Sequence, residues 1–188
     1  MPSFDPATTA LILIDLQHGI AERGELAPRT GAQVVESAKV LAGRFRAAHA
    51  PVVLVHVGFT PETMPSQKVD KPGLPAGGTP PEFQQLVEGL QQPGDVTVLK
   101  HHWGAFTGTD LDLQLRRRGV KTVVIAGIAT NFGVESTVRS AWEHFYDVVI
   151  AEDVCTSRSA ELHRFAIENI LPQIATVTTA DAIAFDAG

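Results

Sequence analysis

Three segments of this chain end an aliphatic run on residues that can move protons or hold charge. In the first, Leu11-Ile12-Leu13-Ile14 runs straight into Asp15, followed by Leu16 and Gln17. A carboxylate directly after four aliphatic residues sits where water is scarce. Poor solvation disfavours its charged form, raises its pKa and suits it to acid or base work. The same Asp equally suits the bracing of a following loop, and this segment alone does not choose. In the second, Val98-Leu99 leads into Lys100-His101-His102-Trp103-Gly104-Ala105-Phe106. A lysine there can pair with Asp15, offer positive charge to a substrate, or simply stand exposed. Adjacent strand residues point to opposite faces, so His101 and His102 make a poor pair of metal ligands, and no metal is expected. The third segment is Gly127-Ile128-Ala129-Thr130-Asn131-Phe132-Gly133-Val134-Glu135-Ser136-Thr137. It follows an apolar run and opens a helical pattern, reading as strand, tight turn and helix start. Amides at such a helix start can stabilise an oxyanion or hold a carboxylate; an ordinary αβ turn is the plainer reading.

The elements that must position these residues alternate in type. Residues 9–13, 51–57, 96–99, 122–126, 147–151 and 175–178 read as short strands, apolar or β-branched. Residues 31–48 carry helical periodicity through Val34, Val35, Ala38, Leu41, Ala42 and Phe45. Further helices are expected over 82–90, 110–118 (capped by Thr107 or Thr109), 134–145 and 160–171, with a last helical turn at 180–185. Strands apolar on both faces, separated by amphipathic helices, imply a parallel sheet covered on each side. Residues 58–82 are rich in Pro and Gly and too long for a bare connection; a lid, interface arm or binding loop is expected there.

Bulk properties narrow the class. The chain has 188 residues, 44% of them hydrophobic, which suits one α/β domain over 1–188 with a substantial core. The net charge of −6 argues against nucleic acid and anionic membranes as partners. Arg116-Arg117-Arg118 beside Gly119 reads as a solvated helix end, where cations are favoured. No apolar run approaches the roughly 20 residues of a membrane span. No basic-then-apolar leader pattern is visible after Met1, so a cytoplasmic location is expected. A single cysteine, Cys155, excludes an internal disulfide and a cysteine-based metal cluster.

Taken together, the aliphatic-Asp15-Leu16-Gln17 segment, the Lys100-x-x-Trp103-Gly104-Ala105-Phe106 segment and the Gly127 turn resemble, in order and spacing, the isochorismatase-like hydrolases. The likeness extends to Ala151-Glu152-Asp153 and covers nearly the whole chain. It implies a three-layer α/β/α fold around a mainly parallel, Rossmann-like sheet of about six strands. It also implies a catalytic set of Asp15, Lys100 and position 133, with Gln17, Trp103, Phe106, Ile128, Ala129, Asn131 and Phe132 around the substrate. A cis peptide between Ile128 and Ala129 and a homo-oligomer, dimer or tetramer, belong to the same implication. Most of the family carries a nucleophilic cysteine where this chain has Gly133. Among its members the chain looks closest to a small bacterial hydrolase group that shares the glycine. True isochorismatases, which cleave a vinyl ether, have glycine there too, although their turn differs around Thr130-Asn131.

The leading expectation is therefore a metal- and cofactor-independent hydrolase of a small, anionic or cyclic molecule. Asp15 acts as acid or base, Lys100 as its electrostatic partner and water as nucleophile. The alternative from another class is a binding module for a metabolite or a protein, its catalysis altered with the loss of the thiol. An amidase using Cys155 ranks last, since a buried, small apolar role is the ordinary one for such a residue. His163 reads as a core or capping histidine and His56 as a possible border of the pocket. The clustered Asp and His of metal-binding nicotinamidases are absent from His56-Val57-Gly58-Phe59.

Overall fold

The computed structural model describes residues 3–71 and 78–185. Eight strands and five α-helices follow in chain order: β1 (Ser3–Phe4), β2 (Thr9–Ile14), α1 (His18–Ala21), α2 (Gly31–Ala47), β3 (Val52–Val57), β4 (Val96–Lys100), α3 (Leu111–Arg117), β5 (Thr122–Ile128), α4 (Glu135–Glu143), β6 (Asp147–Thr156), α5 (Ala160–Phe165), β7 (Thr176–Thr178) and β8 (Ala184–Phe185). Six strands form one parallel sheet in the order β4-β3-β2-β5-β6-β7. The strands β2 and β5 are buried along nearly their whole length, as a sheet covered on both faces requires.

The strand order fixes where a ligand can bind. From β2 the chain builds outward through β3 to β4, then returns to the other side of β2 and builds outward again through β5, β6 and β7. The crevice beyond the carboxyl ends of the two strands where the order reverses is the usual ligand site of such sheets. Those strands are β2 and β5, and they end at Asp15 and at the Gly127 turn.

Local chemistry explains the flanking elements. Thr30 and Gln33 form a reciprocal capping box that starts α2, and Val34, Val35, Ala38, Leu41, Ala42 and Phe45 are its buried stripe. Arg44 near the helix end donates to the carbonyls of Ala180 (2.8 Å) and Ile183. At α3 the N-cap is Asp110, which makes no side-chain cap bond, and not either of the threonines expected there; Thr109, one residue earlier, accepts from the Leu111 amide at 3.2 Å. No helix among the described residues is long and apolar enough to cross a membrane.

Three expectations change. Residues 82–90 are not a helix; only one 3₁₀ turn forms, Pro81–Gln84. The backbone of this stretch is bonded to distant partners instead: Gln17 donates to the Phe83 carbonyl, His18 N–H to Gln85 and Val87 N–H to Leu16. Strand β6 continues to Thr156 by way of an irregularity in its pairing with β5, so that Gly127 pairs with Cys155 where Ile125 pairs with Ile150. The C-terminal turn is 3₁₀ only over Ala180–Ala182, after which β8 pairs with β1 in a separate two-stranded sheet. The Pro/Gly-rich arm over 58–82 is described except for residues 72–77, which lie outside the described residues.

Candidate functional site

Because all six strands run the same way, Asp15, Lys100, the Gly127 turn and the end of β6 meet at one edge. Asp15 follows β2 with a left-handed backbone, φ 56°, a conformation Asp tolerates better than most side chains. Its amide donates to the Val55 carbonyl at 2.8 Å, which fixes the bend. Lys100 ends β4, two strands away across β3. Strands lie about 4.8 Å apart, so the lysine stem must span roughly two such spacings. It does: Nζ donates to Asp15 Oδ2 at 2.9 Å and to the His102 carbonyl at 3.1 Å. Both residues are almost sealed, Asp15 at 5% and Lys100 at 1% exposure.

The second carboxylate oxygen, Asp15 Oδ1, is buried and has no hydrogen-bond partner among the described residues. Burial is the strongest influence on this carboxyl and pushes its pKa up; Lys100 and, more weakly, His56 pull it down without cancelling the effect. A buried acceptor without a donor is costly unless a ligand or a proton satisfies it.

Gly127 must be glycine. Its φ is +126°, and a Cβ would lie 2.2 Å from the Ile14 carbonyl oxygen. This close approach brings the turn over the end of β2. The peptide between Ile128 and Ala129 is cis, and a π turn, Thr130–Val134, leads without a break into α4. A Cβ built on Gly133 would stand 3.2 Å from both Asp15 Oδ2 and Ile14 Cγ2, and 3.5 Å from the Ile128 carbonyl. Position 133 therefore faces the carboxylate at contact distance. Thr137 ties this turn to the Lys100 segment: its hydroxyl donates to the Gly133 carbonyl at 2.6 Å and accepts from the Ala105 amide at 3.1 Å.

The lip of the site is aromatic. Trp103, 57% exposed, meets Phe132 edge to face with ring centres 4.9 Å apart. Ile128 is buried, while Ala129, Asn131 and Phe132 remain half-buried at the turn.

Two residues expected around the substrate serve other purposes. Both N–H groups of the Gln17 amide donate to carbonyls, Val57 at 2.8 Å and Phe83 at 2.7 Å, and its oxygen accepts from Val57 N–H at 2.7 Å. Gln17 is thus a brace between β2, β3 and the 3₁₀ turn. Phe106 is stacked on His144, 5.1 Å between ring centres, and tilted against Tyr146, 5.9 Å away; its bulk fills the core at the far end of α4.

Burial counts against Cys155 as a nucleophile. Cys155 is fully buried, its Sγ 3.4 Å from the Ala151 carbonyl, and desolvation pushes its thiol up to about 12. Such a thiol is a poor nucleophile. His163 is a core histidine: Nδ1 lies 2.8 Å from Thr130 Oγ1, and burial, with Arg29 nearby, lowers its pKa. His56 Nδ1 lies 2.8 Å from the Gln84 carbonyl and His101 Nδ1 2.6 Å from that of Gly58. Among the described residues, no group of three or more His, Cys, Asp and Glu is placed to hold a metal.

Two grooves lie elsewhere. One of about 460 Å³ is bordered by Trp142 and Tyr146 at the opposite edge of the sheet, and one of about 380 Å³ lies beside the start of α2. Neither contains Asp15, Lys100 or Gly133. A buried carboxyl with a raised pKa and an unsatisfied oxygen at the switch point is the better mark of a site than either groove.

Sequence reasoning stopped at Cys155 and so passed over the two residues after β6. The Ser157 hydroxyl donates to Asn131 Oδ1, and the Arg158 guanidinium lies over the Phe132 ring, 5.5 Å from its centre. Their position at a strand's carboxyl end was the available signal.

Comparison with known proteins shows the family. The isochorismatase domain model matches residues 9–182. An isochorismatase family protein of Escherichia coli O157:H7, YecD, is 46% identical over 97% of this chain and 98% of its own. The ureidoacrylate amidohydrolase RutB of Methylobacterium radiotolerans is 33% identical over 89% of this chain and 75% of its own. The solved structure of an isochorismatase family protein from Burkholderia thailandensis superposes with a TM-score of 0.91, at 43% identity, over 97% of this chain and 96% of its own. With the family model spanning nearly all of the sheet and near-complete relatives on either side of it, the chain belongs to the isochorismatase family of hydrolases.

Proposed function

We propose that this chain hydrolyses a small molecule with water as nucleophile, within a branch of the family that carries glycine in place of the catalytic cysteine. The observation that carries the reading is the geometry at position 133. The point where a Cβ would begin lies 3.2 Å from Asp15 Oδ2, so a water in the space a side chain would take is within reach of the carboxyl. Asp15, Lys100 and the turn around Gly133 form the catalytic set. The raised pKa of Asp15 supports a proton donor. Protonation of the substrate by Asp15 generates an electrophilic carbon, water adds to it and returns one proton to Asp15, and the remaining proton of the new hydroxyl passes to the leaving oxygen as its bond to that carbon breaks. Vinyl-ether cleavage is one reaction of this form. Lys100 holds the carboxylate after it has given up its proton.

The test is a panel of vinyl ethers, esters and amides, the last included because one relative is named an amidohydrolase. Wild type and Asp15→Asn are compared on each. Turnover of one class that is lost in the variant supports the reading. Specific binding without turnover in either protein replaces it with the binding-module alternative.

A further inference from the structure

Building on the hydrolase reading, we infer that His163 is a positioning residue for the site: its Nδ1–H holds the Thr130 hydroxyl, and through it the turn that sets position 133 against Asp15. Thr130 opens that π turn, and its side chain is fully buried. A hydroxyl has one proton to give. Thr130 Oγ1 has two neighbours within hydrogen-bond reach, the Thr156 carbonyl at 3.0 Å and His163 Nδ1 at 2.8 Å. A carbonyl oxygen only accepts, so the Thr130 proton goes to Thr156 and His163 Nδ1 is the donor to Thr130. Only this assignment satisfies both contacts. The hydrogen bond thus sets which ring nitrogen carries the proton, and it selects the tautomer that a free histidine disfavours.

The imidazole is itself held in place. Ser159 caps α5 by accepting from the Leu162 amide at 3.2 Å, and its carbonyl takes the His163 amide at 3.1 Å. The charged groups that face the ring are Glu152 on β6 and Arg29 ahead of α2, while Glu161 and Arg164 on its own helix are exposed. Nε2 lies 3.8 Å from Glu152 Oε2, beyond hydrogen-bond distance, and that oxygen already takes Arg29 Nη2 at 3.2 Å. A second proton on Nε2 has no close acceptor, and burial, with Arg29 beside the ring, favours the neutral form. The turn, the end of β6 and α5 therefore meet at one hydroxyl. From Thr130 the π turn runs directly to Gly133, where a Cβ would stand 3.2 Å from Asp15 Oδ2. Thr137 holds the far end of the same turn by the Gly133 carbonyl, and Thr130 with His163 holds the near end. Such a site tolerates little misplacement: an error near 1 Å, caused far from the chemistry, can cost about 10²-fold in rate.

The experiment reads the tautomer first. Long-range ¹H–¹⁵N spectra of the wild-type imidazoles near neutral pH are expected to show His163 neutral with its proton on Nδ1, and Thr130→Val to lose that signature while staying folded. The Gly133 amide resonance then reports the turn. It is expected to move in His163→Leu and in Thr130→Val, and to move no further when the two are combined. It should return towards its wild-type position in His163→Asn, whose side-chain amide can donate in place of Nδ1. On the substrate found by the panel above, kcat of His163→Leu is expected to fall by about 10²-fold with KM nearly unchanged, and His163→Asn to recover most of the loss. Should His163→Leu not fold, the wild-type tautomer and the comparison of Thr130→Val with Thr130→Ser decide. A proton on Nε2, a Gly133 resonance unmoved in the folded variants, or an unchanged kcat overturns the inference. Neither spectrum needs turnover, so a panel that is bound but never hydrolysed ends the hydrolase reading and not the hold of His163 on the turn.

Discussion

Lys100 Nζ lies 2.9 Å from Asp15 Oδ2, joining the ends of β4 and β2 across the intervening β3. Replacing Asp15 by Asn keeps the shape and removes the proton. If the carboxyl is the acid, turnover of the identified substrate falls by about 10²–10⁴-fold, the usual worth of such a group. Steady-state rates of the two proteins at equal folded concentration check this; a change below tenfold removes Asp15 from the chemistry.

The pH dependence has a definite sign. The folded pKa of Asp15 lies above its ordinary 3.8, so the folded protein holds this proton where the unfolded chain has lost it. A proton donor is active below the raised value, and activity declines as pH rises through it. In Lys100→Met the carboxyl loses the influence that pulls it down, and the alkaline limb moves to higher pH. The same linkage acts on stability: relative to wild type, Lys100→Met is least impaired in acid and loses further stability as pH rises past the wild-type carboxyl's own raised value. Rate profiles and urea titrations at several pH values measure both. An activity that rises with pH through this range would make Asp15 a base.

Gln17 is expected to matter for stability. Gln17→Leu leaves Val57 N–H, Val57 C=O and Phe83 C=O without their partners. Each buried orphan costs about 1–3 kcal/mol, so the variant should lose at least ~2 kcal/mol in urea unfolding. A smaller loss would mean that the 3₁₀ turn moves away and lets water in.

The sheet was legible because its strands are apolar on both faces and its longest helix, α2, announces itself with Thr30, Gln33 and a regular stripe. Asp15 and Lys100 were legible because each ends an aliphatic run, and parallel strands bring such ends to one edge. Gln17 was misread because its three bonds reach residues 40 and 66 positions away, which no local pattern encodes. Phe106 was misplaced for a similar reason: its partners His144 and Tyr146 follow from packing of α4 and not from the segment that contains it. Residues 82–90 lost their helix to long-range backbone bonds, and Arg158 passed unnoticed because an exposed arginine has no signature until the ring beneath it is known.

Self-association is proposed on the strength of the exposed apolar surface. Leu162 and Phe165 stand on α5 at 43% and 58% exposure, and Trp103 is more than half exposed at the lip. Contact with a second copy would cover such groups. Light scattering across micromolar concentrations should give a mass of two or four chains, and Phe165→Ser should lower it. A monomer throughout would refute the proposal.

The most direct probe of the turn is Gly133→Cys. A Cβ there is 3.2 Å from Asp15 Oδ2, so the new side chain fits only with a small shift of its neighbours. Its sulfur enters a place set by Lys100 and by the start of a helical run. Positive charge and helix amides lower a thiol pKa, and the thiolate is the reactive form. Native Gly133→Cys should therefore react with iodoacetamide well below the pH at which a free cysteine, near 8.5, ionises. The wild-type protein supplies the contrast in one molecule: Cys155, buried and held up to about 12, should stay unlabelled until the protein unfolds, and wild-type turnover should survive the reagent. Sluggish labelling at 133 would show that this position does not face Asp15 in solution. Loss of wild-type activity through Cys155 would move the nucleophile to β6 and end the water mechanism.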